Sequence, residues 1–488
     1  MTFNFHKTMH TRRIRMKKVS QLLILSVALS LTVQALAQGE YPFLQFSRNP
    51  FTDLSFLGAG ARARGMGGAF YAVSDDPSAV TWNPAGLVQM DKAQMSVAFH
   101  HTRAENDYSG NYSGGLSFSG KPGQSVDQLA YAGVVIPFEL KGRHFVGGVS
   151  IPNSVSEMRG VDFRDSLGFS HELNGRLSRA CLGLATKIWK DLSIGLAVNI
   201  YGNGYDRNGL AIFRLSPPPD DTVLLYHPRF KSGFSGWNFT LGGMLKMKKL
   251  RLAATFKSPF GQSNPLKENL DLRYVTDLIV RGVINPVANE ALGTLSKTKS
   301  EWILPAIVGL GASYQVTDNF LVAADFDIKP YSKAWVRMQS NIFIPSSSFE
   351  PFDLKWKDCN QFRIGGEYKV RVNRFTIPVR AGYRNDPKPY ENVDNLHDFV
   401  LEGPFGIAMS GETGIYFAGS GSQVKGDIFS FGSGIAFGQV AFDVTWEFES
   451  YDFEENGIML TKEFDYTPFS RTSKISNNRV IFNFTGVF

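Results

Sequence analysis

Val480-Ile481-Phe482-Asn483-Phe484-Thr485-Gly486-Val487-Phe488 ends the chain, and its alternation decides the fold. A β-strand turns successive side chains to opposite faces, so Val480, Phe482, Phe484 and Phe488 share one face, and Asn483 and Thr485 the other. Such a strand needs an apolar environment on one side and a polar one on the other. The rest of the sequence says which environments these are.

The N-terminus carries an export address. Lys17 and Lys18 precede an apolar stretch from Leu22 to Val33, and Ala35-Leu36-Ala37 supplies a small-x-small cleavage pattern. This is the order of a secretory signal, and the stretch is too short to span a bilayer. Residues 1–37 are therefore expected to be a signal peptide cleaved after Ala37, with either Met1 or Met16 as the start. No cysteine follows the cleavage point, so no lipid anchor is expected there. Setting aside the six basic and no acidic residues of 1–37 leaves 45 basic side chains against 44 acidic ones. The excess of positive charge thus belongs to the signal, and no nucleic-acid partner follows from it. After export, a terminal strand ending on Phe488 resembles the closing signature of bacterial outer-membrane proteins, which implies the barrel-assembly machinery as a partner.

Residues 38–488 hold no second apolar run long enough for a membrane helix. A closed barrel remains, because every backbone polar group in hydrocarbon needs a partner within the protein. Modest hydropathy fits, since only alternate residues of each strand meet lipid. Of the two cysteines, Cys181 falls within a strand and Cys359 at a loop-to-strand junction, and both are read as unpaired.

Six very short polar turns stand out, near 139–142, 190–191, 247–249, 315–318, 371–374 and 438–439. Each is flanked by alternating segments such as Leu192-Ser193-Ile194-Gly195-Leu196-Ala197-Val198. Long polar connections are expected at about 104–125, 153–175, 205–232, 261–298, 332–359, 386–426 and 451–476. Short periplasmic turns and long outer loops are the usual barrel asymmetry. Six inner turns join twelve strands, and the first and last strands bring the expectation to fourteen antiparallel strands. In several strands charge occupies one face only: Asp325, Asp327 and Lys329; Arg363, Glu367 and Lys369; Arg380 and Arg384; Asp443, Glu447 and Glu449. On the lipid face each Arg or Lys would cost about 2–4 kcal/mol at mid-membrane, so these charges face inward. Both signs are interleaved, which favours a bracing ion-pair lattice over a polar conduit.

Residues 38–91 break the alternation. They contain Gly58-Ala59-Gly60-Ala61-Arg62-Ala63-Arg64-Gly65-Met66-Gly67-Gly68-Ala69-Phe70, then Asp75-Asp76-Pro77 and Trp82-Asn83-Pro84-Ala85-Gly86. Small residues permit close backbone packing, Asp75-Asp76-Pro77 suits a helix start, and Asn83-Pro84 turns the chain. Short helices inside the barrel, ahead of the first strand, are expected. A phosphate-binding loop is not expected: no Lys-Ser/Thr follows the glycines, no strand of a βαβ unit precedes them, and ATP is absent outside the inner membrane.

This segment resembles the N-terminal hatch of outer-membrane transporters for hydrophobic compounds, the long-chain fatty acid and aromatic hydrocarbon transporter family. The Gly/Ala-rich lead, Asp75-Asp76 and Asn83-Pro84-Ala85 carry the resemblance. Leu304-Pro305, Gly365-Gly366-Glu367-Tyr368 and Arg380-Ala381-Gly382-Tyr383 extend it more loosely over the chain. It implies a signal peptide over 1–37, a hatch over 38–91 containing Asn83, Pro84 and Ala85, and a fourteen-strand barrel over 92–488 with long extracellular loops. It also implies capture of a hydrophobic small molecule in the lumen and sideways release past a mobile hatch, in the outer membrane of a Gram-negative cell. The expected setting is a monomer among outer-membrane lipid and lipopolysaccharide. A lateral opening is expected in the third strand, at Gly147, Gly148 and Pro152. Apolar loop residues Leu278, Ile279, Val283 and Ile284 are ligand candidates, or else a helix packing on itself.

Gly65-Met66-Gly67-Gly68 and Trp82–Gly86 are also similar to barrels serving type IX secretion, which implies exported proteins as the alternative cargo. Catalysis is not expected. Adjacent His100 and His101 point to opposite faces, and no Ser/His/Asp arrangement, metal-ligand spacing or cofactor motif appears.

Overall fold

A computed structural model describes residues 56–112, 117–121, 123–152, 156–157, 169–216, 222–280, 283–285, 296–339, 350–354, 356–392, 421–460 and 466–488. The expected signal peptide and residues 38–55 of the expected hatch lie outside these ranges.

The alternating segments form one closed antiparallel barrel of fourteen strands. In chain order they are β1 (Gln94–Tyr112), β2 (Gly123–Leu140), β3 (Arg143–Pro152) and β4 (Phe169–Lys187). Then follow β5 (Leu192–Gly202, continued by Gly204–Ser216), β6 (Thr222–Met247) and β7 (Leu250–Lys257, continued by Leu266–Val280). β8 is Ser296–Ile303 with Ile307–Gln315, β9 Phe320–Ile328 with Trp335–Gln339, and β10 Glu350–Asp353 with Gln361–Val372. β11 (Phe375–Glu391), β12 (Gln423–Phe437), β13 (Val440–Leu460) and β14 (Tyr466–Val487) complete the wall. β14 pairs with β1 from Gln94↔Val487 to Tyr112↔Phe469, so the sheet has no free edge along that seam. No described helix is long and apolar enough to cross a membrane.

All six expected short turns are present, and Lys141, Gly142, Lys248, Asn373 and Gly438 take the left-handed conformation that such tight reversals need. The alternation is realised as read. Phe326, Ile328, Phe362, Ile364, Phe442, Trp446, Phe482 and Phe484 point outward, while Asp325, Asp327, Arg363, Glu367, Arg380, Arg384 and Glu447 are buried within. His100 is buried and His101 half-buried. Cys181 and Cys359 are both free thiols, buried in separate apolar clusters.

The long connections are the point at which the expectation fails. Much of each is strand: β6 alone runs for 26 residues, and β13 and β14 for 21 and 22. At ~3.3 Å per residue these strands greatly exceed the ~10 residues that a tilted strand needs to cross. Beyond the membrane both faces of a strand meet water. The hydrophobic alternation fades while the hydrogen-bond ladder continues. Likewise Leu278 and Ile279 pair with Asn285 and Ile284 in an outer hairpin, so the helix considered for this stretch does not form.

Candidate functional site in the lumen

Residues 57–90 fold inside the barrel as a plug. Its regular pieces are α1 (Ala61–Gly65), α2 (Ala79–Trp82) and a 3-10 turn at Pro84–Gln89. The helix starts two residues later than Asp75-Asp76-Pro77 suggests, because Asp76 instead accepts the Ser78 N–H at 2.9 Å and shapes the turn before it. The 3-10 turn begins at Asn83, whose Oδ1 accepts the Ala85 N–H at 3.0 Å while Nδ2 donates to the carbonyls of Tyr71 and Gly243. Asn83, Pro84 and Ala85 are thus brought together against β5 and β6, where Ser193 Oγ donates to the Ala85 carbonyl at 3.0 Å.

The wall is hollowed to receive this plug. A Cβ built on Gly148 or Gly183 would press on Val80, one on Gly195 on Pro84, and one on Gly242 on Asn83. Across the lumen Gly309 and Gly311 clear Tyr71, Gly365 clears Met66, and Gly382 clears Gly67. These glycines lie on seven strands, all within a few residues of the short turns. They form a collar of small residues at one level, which fixes the plug in the short-turn half of the barrel.

Charge then ties plug to wall. Arg62 donates two bonds to Glu367, at 2.8 and 3.0 Å, and Arg64 two to Glu447, at 2.8 and 2.5 Å. The backbone N–H groups of Phe70 and Tyr71 converge on Asp325 Oδ2. Tyr71 donates to Asp327 at 2.8 Å, and burial raises its pKa so that it stays the protonated donor. Behind these contacts the wall braces itself through Arg363 with Asp327, Arg380 with Glu367 and Asp443, and Arg384 with Glu447. The interleaved charges are therefore the ion-pair lattice expected from their mixed signs. Below the plug a cavity of about 370 Å³ opens between Arg62, Asp76, Lys369, Arg380 and Asp443. Its lining mixes these charged groups with Ala61, Pro378, Ile435, Ala436 and Ala441.

Above the plug the chemistry changes. The ladders of β7 to β10 are interrupted at 258–265, 304–306, 329–334 and 354–360, and the freed segments turn inward. A lone bridge, Phe260↔Leu304, links two of them. The result is an aromatic chamber of Tyr201, Phe234, Phe260, Trp302, Tyr331 and Trp356, extended by Leu177, Leu266, Leu304 and Val336. Tyr201 meets Phe260 edge-on at 5.2 Å, and Trp302 stacks on Trp356 at 6.2 Å. Glu268 is buried in its wall and satisfied by neutral donors, Ser232 Oγ and Trp302 Nε1.

Phe56, at the start of the plug, occupies this chamber with its ring edge-on to Tyr201 at 5.9 Å. Beside it are two cations. Lys257 donates to the Phe56 carbonyl at 3.2 Å and lies 4.9 Å from the Phe56 ring centre. Arg179, which is buried, donates to the Leu57 carbonyl at 3.1 Å, and its Nε has no partner. Among the described residues neither cation forms an ion pair. Sequence reading missed this site, because Arg179 and Lys257 are 78 positions apart in chain number and the inward bends of β7 to β10 leave no period of their own. The loop candidates Leu278, Ile279, Val283 and Ile284 stand in the outer hairpin.

Of the residues marked for a lateral opening, Gly147 and Gly148 sit in an unbroken ladder between β2 and β4, and Gly148 serves the plug's seat. Pairing of β3 with β4 stops at Ser150↔Cys181, whereas pairing with β2 runs on to Tyr131↔Pro152. Pairing with β4 resumes at Ser156↔Leu177, so Pro152 lies at an interruption of that ladder.

A model of the family described as outer membrane protein transport protein (OMPP1/FadL/TodX) matches residues 52–396. No curated protein matches the sequence. Among solved structures, a Pseudomonas aeruginosa FadL homologue superimposes with a TM-score of 0.60 at 14% identity, over 88% of this chain and 98% of that one. The P. putida toluene transporter TodX gives 0.52 at 15% identity, over 89% and 99%. The Ralstonia pickettii toluene transporter TbuX gives 0.52 at 15%, over 89% and 99%. These likenesses concern the fold.

Proposed function

Because the chain belongs to the outer membrane protein transport family (OMPP1/FadL/TodX), we propose that it admits hydrophobic compounds through the outer membrane, and that its cargo is an amphiphile with an apolar tail and one acidic head, of the fatty-acid kind. The observation carrying the second half is the pair of cations at the chamber. Arg179, buried, and Lys257, half-buried, lie beside aromatic rings and donate to the carbonyls of Leu57 and Phe56, with Tyr201 a further neutral partner of Arg179 and no carboxylate paired with either among the described residues. Burying charge without a counter-charge is costly, and a carboxylate would relieve it. A neutral hydrocarbon would not. The Phe56-Leu57 segment thus stands where the ligand belongs, its ring in place of a tail and its carbonyls in place of a head.

In this reading the ligand enters from the long-loop side, displaces Phe56 and settles in the chamber. It leaves sideways near Pro152, where the ladder between β3 and β4 is interrupted, and Asn83-Pro84-Ala85 belongs to the part of the plug that yields. The protein works as a monomer, Phe488 is its assembly signal, and no catalytic step is assigned to it. The alternative of a barrel that receives exported proteins draws no support from a lumen whose short-turn half is occupied by the plug.

Binding to the purified barrel of a C16 fatty acid, the matching alcohol and the matching alkane provides the test. The acid is expected to bind at least tenfold more tightly than the alcohol. Arg179→Gln with Lys257→Gln should bring the two to parity while leaving alcohol affinity intact. Equal binding of all three by the wild type would remove the acidic head from the proposal. Absence of binding, with unaltered uptake in cells lacking the protein, would remove transport itself.

A further inference from the structure

The short turns differ sharply in charge from one side of the barrel to the other. The three adjacent turns that join β2 to β3, β4 to β5 and β6 to β7 carry Lys141, Arg143, Lys187, Lys190, Lys246, Lys248, Lys249 and Arg251. Against these eight cations stand Glu139 and Asp191 within 139–144, 187–192 and 246–251, a net of +6. The other three turns, 315–320, 371–376 and 436–441, hold Asp318, Arg371 and Arg374, a net of +1. Since residues 38–488 as a whole carry only +1, the basic arc is a local concentration and not a consequence of composition.

The arc is continuous. Thr186 Oγ1 donates to the His144 carbonyl at 2.8 Å, and the Lys246 N–H donates to the Asp191 carbonyl at 2.9 Å, so the three turns are fastened side by side. Among the described residues none of its eight cations forms an ion pair, and Glu139 is engaged by His144. Seven of the eight side chains are exposed, Arg251 being half-buried. The same arc exposes Leu140, Ile188, Met247 and above all Trp189, which is 77% accessible. A Trp ring and aliphatic side chains beside free cations are badly placed in open water but well placed at a bilayer boundary, where rings sit at headgroup depth and Lys and Arg reach phosphates.

We infer that the turns at 139–144, 187–192 and 246–251 form a binding site for anionic phospholipid headgroups of the membrane leaflet on the short-turn side. Trp189 and Met247 lie among the upper acyl carbons, and the lysines at 246, 248 and 249 gather the phosphodiester oxygens. The chemistry selects negative charge on the lipid; phosphatidylcholine offers the same acyl chains without it. The site is independent of the cargo and lies outside the lumen. It sits beneath the strands whose Gly148, Gly183, Gly195 and Gly242 seat the plug, so the lipid would clamp that sector of the wall from outside.

The test reconstitutes the full-length barrel in bilayer nanodiscs of phosphatidylcholine containing one-fifth phosphatidylglycerol, and counts retained lipids by native mass spectrometry. Wild type is expected to retain phosphatidylglycerol at about threefold or more over its bulk share, with retention falling as salt is raised. Lys246→Gln, Lys248→Gln and Lys249→Gln together should abolish that enrichment, while Arg371→Gln with Arg374→Gln on the opposite arc leaves it intact. Heat-modifiable gel migration confirms that each variant is folded. No enrichment in wild type, or equal loss in both variants, would overturn the site. So would an arc that retains neutral lipid but captures an acidic periplasmic protein instead.

Discussion

Gly382 has no room for even a methyl group, since the backbone of Gly67 lies against it. The collar of wall glycines is therefore a set of contacts in which the absent side chain is the functional part. Replacing Gly382 by Val should cost about 1–3 kcal/mol through overpacking. It should also lift that side of the plug, and planar-bilayer recordings should show ion conductance above the wild-type level. Unchanged conductance with an unchanged unfolding temperature would mean that the seat is slack. Asn83 makes the complementary case. Its amide satisfies the Ala85 N–H and the carbonyls of Tyr71 and Gly243, all in a buried setting. Asn83→Ala should cost about 2 kcal/mol by removing the cap and leaving buried partners bare. Amide exchange across 84–89 should accelerate accordingly. Asn83 could be singled out from sequence, because a cap before Pro has a local signature. The collar could not, because a glycine that admits a plug reads the same as one in any strand.

At the scale of elements, the barrel strands were legible wherever one face met lipid. Phe320–Ile328 and Val440–Phe448 reveal both their extent and their inner face by alternation alone, and the six tight turns supply the strand count. Legibility ended where the environment became the same on both sides. The outer parts of β4 to β7, and of β13, β14 and β1, look like polar loops in sequence yet continue the ladder, because hydrogen bonding between strands does not depend on hydrophobic contrast. These extensions are consequently separable from the membrane wall. Excising 206–230 should leave a barrel that still shows heat-modifiable migration, since the ladder from Gly233 to Met247 is retained on both sides. Failure to assemble would mean that the outer hairpins nucleate the wall. The aromatic chamber lies at the same boundary, where β7 to β10 break, and was hidden for the same reason.

The whole molecule is a wall whose inner charges are completed by a segment from its own N-terminus. Deleting residues 57–90 leaves every strand pairing in place but strips Arg62 from Glu367, Arg64 from Glu447 and two backbone donors from Asp325. Such a variant should insert as an open pore with steady conductance and unfold at a lower temperature than wild type. A closed, non-conducting variant would show that the plug is not what seals the lumen. The plug's ties also set an order of events. Arg62 and Glu367 are 305 positions apart, and Arg64 and Glu447 are 383 apart, so the first part of the mature chain to be made waits for nearly the last. Contacts between such distant positions form slowly, because the intervening chain must first be brought to order. Meanwhile the seam between β1 and β14 must not shut with the N-terminal segment left outside. Biogenesis therefore resembles closing a case around its contents, and a barrel that closes early is a leak.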